Sequence, residues 1–339
     1  MVIDVHAHYV PQRLIAEIDQ HGASFGVAAI KTADSPPALQ FDYGFKVRPF
    51  FPKLVEQVDE RRGWLASRGI DRQVVATWPD IYGYGLNRKN CATWHRLLNE
   101  TLAAWCADNS EHFSWLASVP MPNTDDAVAE LEWSLAHGAV GIMVAANVEN
   151  VNLGEVELDP FWQQAERLKV PIVIHPVMVA PSARVAKFAL AQIVYYTADT
   201  TMGVGSLMFS GVFDRFPGLS VILSHGGGCL PYLIGRFDLM HHRMDRAAQR
   251  DVARDNPSIY AARMAYDTIC HAPHVLKFLA ASVGVEHLVL GTDYSFPPAD
   301  LDPLKSLKEA GFTAGEIEAV TDRNARRLFP RLRLPRAGV

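Results

Sequence analysis

Short apolar runs alternate along this chain with longer stretches in which apolar positions recur every three or four residues. The first pattern belongs to strands and the second to amphipathic helices, so their alternation predicts βα units around a parallel sheet. Eight runs qualify as strands, at residues 2–5, 73–77, 113–119, 138–144, 170–175, 220–224, 264–268 and 287–292. Between them, residues 87–108 place Leu97, Leu98, Leu102 and Trp105 on one helical face, and residues 124–137 open on Asn123 or Thr124 as a cap. Residues 170–174 and 288–290 are apolar throughout, as strands of a parallel sheet covered on both faces must be.

Eight such units predict an α/β fold, a (β/α)8 TIM barrel, with the whole chain, 1–339, as one domain. A doubly wound open sheet is the competing architecture, but no Gly-x-Gly-x-x-Gly turn follows the first run. The alternation breaks at about residues 11–65, a stretch rich in aromatic residues and proline, expected to be a lid inserted after the first strand. At the other end, residues 326–333 read as a helix end followed by a basic tail that aids solubility.

Composition narrows the function. With 49% hydrophobic residues, the 339-residue chain can bury a large core. A formal net charge of -5, from 32 basic and 37 acidic residues without a long basic stretch, argues against nucleic acid and for a small-molecule partner. Runs such as 170–174 and 278–285 fall far short of the roughly 20 residues a membrane span needs, so no membrane span is expected. Cys91, Cys106, Cys229 and Cys270 form no Cys-x-x-Cys pair, and no signal-like stretch opens the chain, which predicts reduced thiols and a cytoplasmic protein.

In a barrel of this kind the reactive face lies at the C-terminal ends of the strands, so the polar residue after each apolar run is the candidate. The first run leads into His6-Ala7-His8, whose two imidazoles share one face of a strand. The fifth ends in His175, the sixth in His225 followed by Gly226-Gly227-Gly228, and the eighth in Asp293. His6, His8, His175 and Asp293 offer three nitrogens and one oxygen with room for water, a shell suited to one divalent metal, zinc first and manganese as the alternative. His225 then stands as the acid or base beside it. The plainer readings are hydrogen-bonded core histidines and, for Asp293, a helix cap. His271 is a candidate for the cavity or for the loop surface, whereas His137, His241, His242 and His274 are assigned to surface or helix positions. The glycine triplet reads as a tight turn.

These residues, in this order, resemble the amidohydrolase superfamily, and most closely its branch of 2-amino-3-carboxymuconate 6-semialdehyde, gamma-resorcylate and 5-carboxyvanillate decarboxylases. The likeness is carried by Ile3-Asp4-Val5-His6-Ala7-His8, Gly138-Ala139-Val140-Gly141-Ile142, Ile174-His175-Pro176, Gly211-Val212-Phe213-Asp214-Arg215-Phe216-Pro217, Ser224-His225-Gly226-Gly227-Gly228 and Gly291-Thr292-Asp293-Tyr294-Ser295-Phe296-Pro297. The resemblance implies one divalent metal on His6, His8, His175 and Asp293, and catalysis by His225 with Asp293. It implies a homodimer in which two arginines clamp the substrate carboxylates. Arg236 matches the one that reaches the neighbouring subunit's site. The other falls on Lys46 or Arg48, and Arg48 is preferred because a guanidinium grips a carboxylate with a fork of donors.

The chain departs from this pattern in the lid and in Thr77-Trp78-Pro79-Asp80-Ile81-Tyr82-Gly83-Tyr84-Gly85 after the second strand. Trp78, Tyr82 and Tyr84 are therefore expected to shape the substrate pocket. The leading expectation is nonoxidative decarboxylation of an unsaturated or aromatic carboxylic acid in aromatic compound catabolism. The alternative is metal-dependent hydrolysis or hydration of a ring-cleavage product, with Asp80 as a further polar contact. A non-catalytic binding protein on a barrel scaffold is the third.

Overall fold

In the computed structural model, which describes residues 1–32, 35–178, 183–243 and 253–332, eight strands pair in parallel in chain order. They are Ile3–His8 (β1), Arg72–Ala76 (β2), Phe113–Ala117 (β3), Gly141–Ala145 (β4), Pro171–His175 (β5), Ser220–Leu223 (β6), Ala265–Asp267 (β7) and Leu288–Val289 (β8). The ring closes where the Val5 amide donates to the Leu290 carbonyl at 2.9 Å and the Asp293 amide to the His6 carbonyl at 2.8 Å. This is the (β/α)8 barrel that the alternation predicts.

One apolar cluster draws on every strand, with Ile3 and Val5 of β1 meeting Val74, Leu116, Met143, Val173, Ile222, Ala265 and Val289, and Phe329 joining them. These residues alternate with others that face the helices, the two-residue period of a buried strand. In β1 the register against β2 slips between Asp4 and Ala7. An extra residue shifts the alternation, so Ile3 and Val5 enter the interior while His6 and His8 reach the site beyond it.

The helix Arg88–Asp108 begins where the Asn87 side chain accepts the Asn90 amide at 3.0 Å, and buries Cys91, Trp94, Leu98 and Leu102. Leu97 and Trp105, expected on the same face, are only partly buried. The helix Thr124–Ala136 starts at Asn123 without a side-chain cap, its first turn carrying Asp125 and Asp126 instead. A helix at Asn324–Leu328 matches the expected C-terminal helix end. The end of the basic tail, from Arg333, lies outside the described residues.

Residues 11–65 are more regular than their sequence implies. After the helix Gln12–His21, the strands Val27–Thr32, Ser35–Phe41 and Lys46–Val47 form an antiparallel sheet, and the helix Val58–Ser67 leads into β2. Pro36 and Pro37 argue against a strand on sequence, but they sit at the register irregularity between Ile30 and Thr32. A bulge tolerates the missing amides. Leu39, Phe41, Val47, Phe50 and Leu54 are buried in the same core as the barrel helices.

Candidate active site at the C-terminal end of the barrel

Five side chains from four strand ends converge. His6 Nε2 lies 3.1 Å from His8 Nε2 and 3.5 Å from Asp293 Oδ1, and His8 Nε2 lies 3.3 Å from the same oxygen. His175 Nε2 is 4.0 Å from Asp293 Oδ1, and His225 Nε2 is 3.4 Å from Asp293 Oδ2. The ligand atoms of His6, His175, His225 and Asp293 all fall within 4.8 Å of one another.

The outer nitrogens distinguish these histidines. His6 Nδ1 donates to Asp267 Oδ2 at 2.6 Å, His175 Nδ1 to the Pro176 carbonyl at 2.7 Å, and His8 Nδ1, at a longer 3.4 Å, to the Thr77 carbonyl. A carbonyl oxygen only accepts, so the proton is on Nδ1 and the Nε2 lone pair points inward. His225 Nδ1, by contrast, is buried without a partner, and its side chain is 13% exposed against 8% or less for the other three. Metal-ligating histidines carry just such an outer acceptor.

Three inward lone pairs facing an anionic oxygen make a repulsive arrangement unless a cation lies between them. His175 Nε2 and Asp293 Oδ1 are indeed buried with no hydrogen-bond partner. The donor set of three nitrogens and one oxygen thus fits a divalent metal. Titration follows the same geometry. Burial lowers His8 to about 4 and, with the neighbouring imidazoles, holds His175 well below its usual range. For Asp293, burial would raise the carboxyl, but the close imidazoles of His175, His225 and His8 outweigh it and hold the group well below the ordinary value.

Backbone conformation aims these groups. His225, His271 and Asp293 have φ of 55°, 58° and 56°, left-handed values that non-glycine residues rarely adopt. Each is the turn just past a strand. Gly291 lets Asp293 approach, since a Cβ there would lie 2.9 Å from the Asp267 Cβ and 3.1 Å from that of His6. Asp4 ties β1 to the same turn: its Oδ2 accepts the Thr292 hydroxyl and the Gln73 amide, both at 2.6 Å.

Asp267, at the end of β7, is a site residue that sequence reasoning missed. Beyond His6 it accepts the His225 amide and the Gly226 amide, each at 2.8 Å, so one carboxylate orients a metal-facing histidine and the turn that carries His225. Burial opposes its ionisation, but the hydrogen bonds it accepts from His6 and the Gly226 amide keep its pKa low. Asp267→Asn is expected to weaken divalent-metal affinity by about 10–100-fold, measured by chelator competition, because both Asp267 oxygens accept hydrogen bonds and an amide offers only one accepting atom, so its NH2 group must face His6 or the amides of the His225 turn. Affinity within twofold of the parent would remove Asp267 from this role.

A cavity of about 800 Å³ reaches His175, His225 and Asp293. Arg48, Trp78 and His271 line it, together with Phe51, Asp80, Tyr196 and Phe296. The Arg48 guanidinium lies 4.0 Å over the Phe51 ring, and Trp78 packs against Phe50, Phe51 and Phe296. Lys46 is exposed and outside this wall.

Other expectations need correction. Tyr82 and Tyr84 do not line this cavity. The turn Pro79–Ile81 sends them back into the core, where both rings pack against His95 and the Tyr82 hydroxyl donates to the Met143 carbonyl at 3.2 Å. His274 and His241 do hold the helix positions assigned to them, in Pro273–Val283 and Leu230–Arg243, but His274 also lines the cavity beside His271, and His241 is buried with Nε2 on the Ala253 carbonyl. Arg236 is exposed on the helix Leu230–Arg243, outside the wall of its own chain's cavity.

A parallel barrel with a metal-fitting cluster at its strand ends defines the class of metal-dependent barrel enzymes. The chain belongs to the amidohydrolase family, whose model matches residues 3–331. It is 30% identical over 322 residues to 2-amino-3-carboxymuconate-6-semialdehyde decarboxylase of Dictyostelium discoideum, an alignment covering 93% of this chain and 88% of that one. Among solved structures it is similar to IDCase of Metarhizium anisopliae, at TM-score 0.83 and 18% identity over 98% of both chains. It is also similar to a dihydroxybenzoic acid decarboxylase of Polaromonas sp. JS666 bound to manganese and 2-nitroresorcinol, at TM-score 0.76 and 19% identity over 98% of this chain and 97% of that one. No helix of the described residues is long and apolar enough to cross a membrane.

Proposed function

We infer that this chain is a metal-dependent carboxy-lyase that removes carbon dioxide without oxidation from an aromatic or unsaturated carboxylic acid. The observation that carries the reading is the near full-length relationship to a decarboxylase, in a chain whose inward-facing cluster of His6, His8, His175 and Asp293 fits the metal such a reaction uses. The hydrogen-bonded outer nitrogens of His6, His8 and His175 support them, with Asp293, as the ligands. The free Nδ1 of His225 supports its role as the proton-transfer group. Zinc is our first assignment from the donor set, with manganese, bound in a structural relative, the alternative.

The ion, when bound, supplies a Lewis acid for an oxygen of the substrate. The chain's residues do the rest. Arg48 holds a carboxylate in the wall, and Trp78, Phe51 and Phe296 enclose the ring and exclude water. His225 delivers a proton to the carbon bearing the carboxylate. That carbon forms a C–H bond as its bond to the carboxyl carbon breaks, and carbon dioxide departs with the charge of the carboxylate passed to the ring carbon and quenched by the proton.

We further read the chain as one domain whose 11–65 segment acts as lid, as cytoplasmic because its four cysteines are free, and as a homodimer that shares Arg236. The test of the reaction is direct: metal-loaded protein given a panel of hydroxybenzoates and unsaturated dicarboxylates should release one carbon dioxide per acid consumed. Consumption without carbon dioxide would turn the assignment to the hydrolase or hydratase alternative.

A further inference from the structure

The cavity wall holds one acid that the proton transfer leaves unused. Asp80 enters the wall from the short turn Pro79–Ile81 after β2. Its Oδ1 accepts the Met178 amide at 3.0 Å and its Oδ2 the Tyr196 hydroxyl at 3.1 Å. Each carboxylate oxygen can accept about two hydrogen bonds, so each keeps one position free while the two donors behind fix the plane of the group. Burial pushes this carboxyl up to about 6, against the pull of those hydrogen bonds and of Arg48, and leaves it ionised at neutral pH.

The cavity that Asp80 lines is also bounded by the apolar side chains of Phe51, Trp78, Ile193 and Phe296, with Arg48 as a positive charge. An anion and a cation on one apolar wall sort substrates by where their own polar groups lie. A hydroxyl or amino group brought to Asp80 gains a charge-assisted hydrogen bond. A carboxylate brought there meets a like charge in a medium that screens poorly, with both neighbouring donors already engaged.

We propose that Asp80 is a specificity-determining residue, which accepts a hydrogen bond from a hydroxyl or amino substituent of the acid and rejects a second carboxylate at that position. The inference rests on the decarboxylase reading above and narrows it to acids that carry a hydrogen-bond donor, and no carboxylate, at the position facing Asp80. Without Asp80 the wall would lose the carboxylate that offsets Arg48 and would admit a second carboxylate more readily.

The experiment compares metal-loaded parent, Asp80→Asn and Asp80→Glu on hydroxybenzoates, the matching methoxybenzoates and the matching benzenedicarboxylates. Turnover gives kcat/KM, and titration calorimetry gives affinity for the same acids. Asp80→Asn should narrow the preference for hydroxy acid over dicarboxylate by about tenfold or more, through KM, with metal content unchanged. Asp80→Glu, which keeps the charge, should retain the rejection of dicarboxylates. A preference unchanged within twofold in Asp80→Asn, by turnover and by affinity, overturns the proposal. If no acid releases carbon dioxide yet the affinity ratio shifts, the reaction assignment fails and the role of Asp80 stands.

Discussion

Asp293→Asn is expected to lower turnover by about a hundred- to a thousandfold, the scale on which one preorganised electrostatic group acts, and to leave the purified protein with little bound metal. Asp293 is the only anion among the four proposed ligands, and its oxygens lie 3.3–4.0 Å from the Nε2 atoms of His6, His8, His175 and His225. Asparagine keeps the shape and the left-handed turn, so the loss measures charge rather than folding. Metal stoichiometry by mass spectrometry, read with activity and melting temperature, makes the comparison. A folded variant with stoichiometric metal and turnover within tenfold of the parent would take Asp293 out of the ligand set.

His225→Ala should fail differently. Removal of a general acid costs about 10²–10⁴-fold in rate, and here the metal content should not change, because three other histidines keep their anchored lone pairs. Should the metal be lost as well, His225 is a ligand, an outcome its closeness to the other ligand atoms permits. The variant also tests the dimer. When His225→Ala and Arg236→Ala subunits exchange, half the dimers are mixed and each has one intact site, so about a quarter of the parent activity should return. No recovery under demonstrated exchange would leave Arg236 without a role across the interface.

The five converging groups were legible because barrel topology does the work that an alignment would otherwise do. His6, His8, His175, His225 and Asp293 each end an apolar run, and parallel strands in a closed ring bring all such ends to one place. Asp267 obeys the same rule but was hidden because the seventh run reads as 264–268, which puts Asp267 inside the strand, whereas β7 ends on it. Tyr82 and Tyr84 failed for another reason. Sequence places them beside Trp78 and Asp80, but the direction a chain takes after a three-residue turn depends on what it packs against, and here that is His95. The antiparallel sheet of the insert escaped because two prolines mask a strand unless the bulge that accommodates them is known.

The left-handed turns at His225 and Asp293 set a conflict between durability and activity. Holding a non-glycine residue in that region costs about 1–3 kcal/mol, and glycine relieves much of it. Heat selection applied without an activity filter will therefore reward replacements at these two positions. The hardiest clones it recovers will be proteins that no longer turn over.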